Sequence, residues 1–299
     1  MRIFLTGGSG YVGGAVLDAF VRTGHRVDAL IRNSEKAAHV QLRGAKPVLG
    51  DLADPASYAD AAAAADGVIH AAIEYSPRGS KLDAKAIETL LTPVDRPGRF
   101  FIYTSGVWIL GSTAAPADES APLNPAQLSA WRVPHEQRVL DAGTGGLRTA
   151  VVRPGIVYGG SRGIVADLFK DAANGLVRVI GSGDNHWPLV YDRDLGDLYL
   201  RIATNPAAGG IYHANDEGDE RVNDLVSAIA EHAPIDPSIR HVPIAEARKK
   251  LGAIADALTL DQIVRSPRAR ALGWTPLLHS VSGNAARLFE EWRRGREAA

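Results

Sequence analysis

The chain has no cysteine among its 299 residues. That excludes disulfides, thiolate catalysis and Cys-ligated zinc or iron–sulfur sites, and leaves the redox compartment undecided. It also lacks a charge bias: 33 Lys and Arg against 34 Asp and Glu give a formal net charge of −1. Nucleic acid and acidic membranes favour a basic surface, so neither is an expected partner. The basic runs "ARKK" (247–250) and "RRGRE" (293–297) are short, lie beside acids and read as solvated helix faces. Long apolar runs are missing too, since each is broken by charge or Gly within about 18 residues, and no membrane span is expected. The first apolar residues open directly into "IFLTGG", from which we expect no signal peptide and a cytoplasmic location. There is no internal repeat, and no metal site is expected.

What the sequence does have is alternation. "RIFLTG" (2–7) is a short apolar run ending in Gly, as a buried parallel strand should be. A helix is expected over 11–24, a strand over 26–32, a helix over 34–44 and a strand over 46–51. An Ala-rich helix over 55–66, a strand over 67–72, a helix over 82–94 and a strand over 99–106 continue the series. A helix around 131–142 and a strand over 147–155 follow. These lengths predict a parallel sheet with right-handed crossovers. Beyond about residue 160 the alternation loosens and Pro and Gly increase. The expected fold is α/β: a Rossmann doubly wound parallel sheet over 1–158, and over 159–299 a smaller, interwoven C-terminal α/β lobe that binds substrate.

Gly7, Gly10 and Gly13 form G-x-x-G-x-x-G between the first strand and its helix. Glycines there let the backbone turn tightly and approach a pyrophosphate, while the helix N-terminus offers unpaired N–H groups. The second strand ends at Arg32, followed by Asn33, Ser34 and Lys36, where an NAD enzyme usually places an acid. A guanidinium pairs well with a 2′-phosphate, so NADP is expected, with NAD as the alternative. Asp51 and Leu52 end the third strand, placed to accept from the adenine amine and to cover its face. Ala71 and Ala72 end the fourth, small enough for backbone to lie against ribose and phosphates.

With "TGGSGYVG", "GDLAD", "VIHAA", "YTSG", "VVRPGIVYG", "VYDRDLGDLYL" and "LGWTP", nearly the whole chain resembles the extended short-chain dehydrogenase/reductases of the epimerase/dehydratase-like group. The resemblance implies a Rossmann lobe for NAD(P), a C-terminal substrate lobe and a cleft between them. It implies cofactor contacts from Gly7, Ser9, Gly10, Tyr11, Val12 and Gly13, from Thr104, and from Pro154, Gly155 and Ile156 on the nicotinamide side. It also implies a Ser or Thr after the fifth strand and a Y-x-x-x-K on the next long helix. Here the chain departs. Anchoring on Glu136 and Gln137 puts Arg132 at the Lys position and Leu128 at the Tyr position; Gly106 takes the usual Ser position, one residue after Ser105.

Leu cannot exchange a proton, and Arg has too high a pKa to serve as an acid/base near neutrality. Arg132 can still hold ribose hydroxyls or a phosphate. The expected catalytic residues are Ser105, Tyr103 and Arg132, with His135, His186, Tyr191 or water as further proton sources. Tyr75, Trp108, His186, Trp187 and Tyr191 are expected to line the substrate pocket. Asp194 is expected to cap the helix that follows it, and Arg153 to be structural. The leading expectation is an NADP-dependent oxidoreductase acting on a small carbonyl or hydroxyl compound. The alternatives are a non-catalytic NADP(H) or metabolite sensor and a sugar-nucleotide epimerase or dehydratase. The partner is a small-molecule substrate, and a homodimer is an option.

Overall fold

The computed structural model describes residues 1–91, 98–143 and 147–297. In the first half strands and helices alternate as β1 (Arg2–Thr6), α1 (Tyr11–Arg22), β2 (Arg26–Ile31), α2 (Glu35–Leu42), β3 (Lys46–Leu49), α3 (Ala59–Ala63), β4 (Gly67–His70), α4 (Gly79–Leu90), β5 (Phe100–Thr104), α5 (Arg132–Ala142) and β6 (Arg148–Pro154). The second half holds β7 (Ile156–Tyr158), α6 (Ile164–Ala173), β8 (Leu176–Ile180), β9 (His186–Trp187), β10 (Leu189–Tyr191), α7 (Asp192–Thr204) and β11 (Gly210–Ala214). It closes with β12 (Glu220–Arg221), α8 (Val222–Glu231), β13 (Ser238–Val242), α9 (Ile244–Leu251), α10 (Ile254–Leu258), α11 (Pro267–Ala271) and α12 (Ala285–Glu297).

The main sheet has seven parallel strands in the order β11-β6-β5-β4-β1-β2-β3. Both its faces are covered, which is why β1, β4 and β5 are buried along nearly their whole length rather than alternating. The strand order reverses between β1 and β4, and an open α/β sheet forms its ligand crevice at such a switch point.

The two lobes are interwoven. Ile156 and Tyr158 of β7 pack in a second core with α6, α8 and α12, while α7 and β11 return to the first lobe. Gly196 lets α7 lie directly on α1: a Cβ there would sit 2.6 Å from the Ala15 carbonyl oxygen. Asp194 does not cap α7. It lies inside the first turn, and its Oδ2 accepts from the backbone N–H groups of Leu277 and Leu278, tying the C-terminal segment to the helix.

The Ala-rich helix is shorter than expected. A 3₁₀ turn, Pro55–Ser57, precedes α3 because Tyr58 leaves helical geometry to bury its ring against Phe4, 6.2 Å away. Tertiary burial of one aromatic overrides the helix preference of the Ala run. The expected end of the helix after strand four, 92–94, falls outside the described residues. Among the described residues no helix is long and apolar enough to cross a membrane.

Candidate active site

A groove runs along the C-terminal edge of the sheet. One end, a cleft of about 290 Å³, is walled by Thr104, Ser105, Trp108, Arg132 and Pro154–Ile156; the other, of about 650 Å³, by the glycine loop, Arg32, Asp51 and Leu52. Both ends share Tyr11, Val12, Ala71, Ala72, Ile73 and Tyr75, so they form one elongated site.

The glycine loop is a cradle that side chains would fill. Gly7 has φ +79°, a left-handed conformation costly for any residue with a Cβ, and a Cβ on it would meet the Ala71 carbonyl carbon at 2.6 Å. A Cβ on Gly13 would lie 2.2 Å from the Gly7 carbonyl oxygen. The start of α1 is thereby held against the switch point. No side chain caps it at Gly10, so its first N–H groups are available to an anion. Arg162 closes over the loop, its Nη1 donating to the Ser9 carbonyl at 3.2 Å.

At the far end Arg32, Asn33, Lys36 and Arg162 share the wall with Glu74. Glu74 is engaged by Arg78 at 2.7 Å and lies 3.5 Å from Arg32; its carboxyl is held below its usual pKa chiefly by the Arg78 hydrogen bond. Asp51 takes the Ala53 N–H on Oδ1 at 2.8 Å. These residues fit a dinucleotide: a backbone cradle with open N–H groups for the pyrophosphate, and cations at the ribose end.

At the smaller end of the groove Ser105 is 6 % exposed, and its Oγ is buried without a hydrogen-bond partner among the described residues. Arg132 Nη1 donates to the Thr104 carbonyl at 2.8 Å, and its guanidinium lies 4.6 Å from the Trp131 ring centroid. Its Nε and Nη2 have no hydrogen bond to a described residue and are available to a ligand. Thr104 Oγ1 is 2.7 Å from the Tyr199 hydroxyl.

Tyr103 is not brought to this cleft. Fully buried in β5, it donates to Asp83 Oδ2 at 2.9 Å, and burial, with the Asp83 charge next, pushes its phenol well above the usual range. His135 also turns to Asp83, with Nδ1 2.7 Å from Oδ2. His70 sits 3.1 Å from Asp83 Oδ1 and 2.6 Å from Thr6 Oγ1. Burial alone would raise the pKa of Asp83, but hydrogen bonds from His135, His70 and Tyr103 outweigh it and hold the carboxyl well below the usual range. Arg132 reaches the same network, with Nη1 3.4 Å from the Tyr103 hydroxyl. The chain of groups therefore props the floor of the cleft between Thr6 and Arg132.

The other residues expected at the substrate pocket divide. Tyr75, 82 % exposed, and Trp108 line the cleft. His186 instead binds Asp261, with Nδ1 2.7 Å from Oδ1, and Tyr191 is packed on Tyr158 and donates to the Glu291 carboxylate. Trp187 lines a second chamber. All three follow from the short pairings β9–β12 and β7–β10, which turn that segment into the second core.

Sequence reasoning missed Asp83, Thr6 and Ser129. Ser129 lines the cleft, is 5 % exposed and donates to the Ala126 carbonyl at 3.1 Å. Its position one residue past Leu128, the residue expected at the Tyr position, was the available signal. Arg162 was signalled by the glycines around it, Gly159, Gly160 and Gly163, all at positive φ.

A family model described as the NAD dependent epimerase/dehydratase family matches residues 3–215. An uncharacterized protein of Schizosaccharomyces pombe is 31 % identical over 288 residues, covering 92 % of this chain and 95 % of its own. The 4-hydroxy-2-methyl-3-oxo-4-farnesyl-3,4-dihydroquinoline-1-oxide ketoreductase of Stigmatella aurantiaca is 29 % identical, with 83 % of this chain and 78 % of that protein covered. Among solved structures, the UDP-glucose 4-epimerase of Thermus thermophilus with NAD superposes at a TM-score of 0.82 and 20 % identity, covering 98 % and 99 % of the two chains. A human epimerase family protein with NADPH superposes at 0.75 and 18 % identity, covering 97 % and 99 %.

Proposed function

The chain belongs to the NAD dependent epimerase/dehydratase family, whose chemistry is NAD(P)-dependent, and on that footing we propose that it is an NADP(H)-preferring reductase of a small carbonyl compound. The observation that carries this reading is the buried, unpartnered Ser105 hydroxyl on the wall of a cleft continuous with the glycine cradle. Buried hydroxyls are normally satisfied, so an orphan on a site wall marks a place for a ligand atom. When bound, the nicotinamide supplies or takes up the hydride.

The chain's own residues do the rest. Gly7, Gly10 and Gly13 with the start of α1 take the pyrophosphate; Arg32 and Lys36 take the 2′-phosphate; and Pro154–Ile156 back the nicotinamide end. Arg132 holds the ribose through its free N–H donors. Ser105 Oγ–H donates to the substrate carbonyl oxygen and stabilises the charge that gathers there in the transition state. Leu128 cannot exchange a proton, so the proton that this oxygen needs comes from cleft water relayed through Ser105, and the hydroxide left behind is reprotonated from bulk solvent. The ketoreductase named above supports a carbonyl substrate.

Ser105→Ala is expected to lower kcat/KM by roughly 100-fold to 1,000-fold, as removal of an oxyanion donor does, with the NADPH Kd unchanged. Carbonyl-panel turnover followed by NADPH absorbance reads it; a variant as active as wild type refutes the role. Tight NADPH binding with no turnover by wild type on any aldehyde or ketone points instead to a sensor. Arg32→Ala is expected to weaken NADPH by about tenfold and leave NADH unchanged, the size of one charge-assisted contact at an exposed site. Equal losses for both cofactors, measured by nicotinamide fluorescence, would refute the phosphate role.

A further inference from the structure

A chamber of about 440 Å³ lies in the C-terminal lobe, between α6, β8, β9, β13, α9 and α10. Its neighbour is the cleft: Ile164, at the start of α6, lines both spaces, and Gly163 beside it lines the cleft. Its interior is hydrocarbon: Leu168, Val179, Trp187 and Val242 are all buried. The one polar atom of Trp187 is already spent, since its indole N–H donates to the Leu258 carbonyl at 2.9 Å.

The charged residues stand at the rim and cancel. Arg178 is held by Asp171 at 3.2 Å and Arg240 by Glu246 at 3.1 Å, which leaves Lys250 against Asp167. A diphosphate entering here would meet two cations already held by carboxylates and a third, Lys250, offset by Asp167. An apolar chain would meet neither obstacle, and burying it removes hydrocarbon from water on both sides.

We infer that this chamber receives the apolar arm of the substrate, an alkyl or prenyl chain whose carbonyl end lies at Ser105 on the far side of Ile164. The inference rests on the reading of the cleft as the reacting end. It assigns the C-terminal lobe a hydrocarbon-binding role in place of nucleotide-sugar recognition, and it makes chain length the main determinant of affinity.

The test is calorimetric titration of the full-length protein, with and without saturating NADPH, using butan-2-one, hexan-2-one, octan-2-one and decan-2-one, and UDP-glucose as the comparator. Affinity is expected to rise about fourfold per methylene until the chamber is filled, with UDP-glucose weaker than decan-2-one. Ala247→Phe places a ring in the chamber and is expected to flatten the series while leaving NADPH affinity unchanged. Should that buried position not tolerate the ring, Leu251→Lys at the exposed rim, 42 % exposed in the wild type, is expected to cut decan-2-one affinity about tenfold without affecting butan-2-one, a charge facing hydrocarbon being the cause.

A series that is flat in the wild type, a rise unchanged in both variants, or UDP-glucose binding tighter than decan-2-one would overturn the inference. NADPH oxidation by ketones together with a flat series defeats the chamber alone. A rising series with no NADPH binding upholds the chamber and defeats the reductase reading.

Discussion

Glu136→Ala is expected to destabilise the protein by about 3–5 kcal/mol, the cost of breaking a buried ion pair by removing one partner. Glu136 on α5 and Arg153 on β6 are each only 3 % exposed at the side chain. The pair is multiply bonded: Arg153 Nε lies 3.1 Å from both carboxylate oxygens and Nη2 lies 2.6 Å from Oε2. Without Glu136 the guanidinium has no anionic partner among the described residues. Its other neighbour is His213, 3.4 Å away, whose pKa is lowered to about 4 by burial and by Arg153 itself; it stays neutral near pH 7, and an imidazole supplies no negative charge to replace the carboxylate.

The loss should appear as a fall in Tm of about 10 °C, at a few degrees per kcal/mol for a chain of this size. Because α5 begins at Arg132, the helix carrying the cleft cation loosens too, and NADPH affinity should fall with stability. The double variant Glu136→Leu/Arg153→Met should regain most of the loss, since replacing both partners by hydrocarbon removes the uncompensated charge. A single variant as stable as wild type in thermal unfolding would show that the pair contributes nothing.

Gly13→Ala is expected to weaken NADPH binding by about 100-fold, equivalent to ~2.7 kcal/mol and within the range for forcing a methyl group into a packed site. The added Cβ would meet the Gly7 oxygen at 2.2 Å, the Gly7 carbon at 2.5 Å and the Gly8 nitrogen at 3.1 Å. All three are backbone atoms, so no rotamer change relieves the contact. The loop must move away from the start of α1, which opens the cradle and separates its N–H groups. Fluorescence titration with NADPH measures the loss, and thermal unfolding separates it from a global defect. Wild-type affinity in this variant would mean that the loop does not bind the cofactor.

Much of this protein was legible before its structure. Three glycines at fixed spacing after an apolar run are a local signal, because the tight turn and the helix start they serve are contiguous in the chain. The order of strands and helices was legible for the same reason, and so was Arg32 at the end of β2. Tyr58 was not, because its departure from the Ala-rich helix is driven by Phe4, more than fifty residues away, and only the packed sheet brings the two together.

The reacting end divides along the same line. The sequence by itself determined that the stretch forming α5, which begins at Arg132, carries neither Tyr nor Lys. It could not decide between Tyr103 and Ser105: residues two apart in a strand share a face, but β5 ends at Thr104, so Ser105 lies past the strand, and only the tertiary structure says which of the two reaches the cleft. Tyr103 is turned to Asp83 on α4; Ser105 is left on the wall. The fate of His186, Trp187 and Tyr191 was likewise a tertiary matter, set by strand pairs of two and three residues whose partners lie tens of residues away. Local motifs report what the backbone must do nearby. Which side chains face a common space depends on contacts between distant segments, and those exist only once the chain has folded.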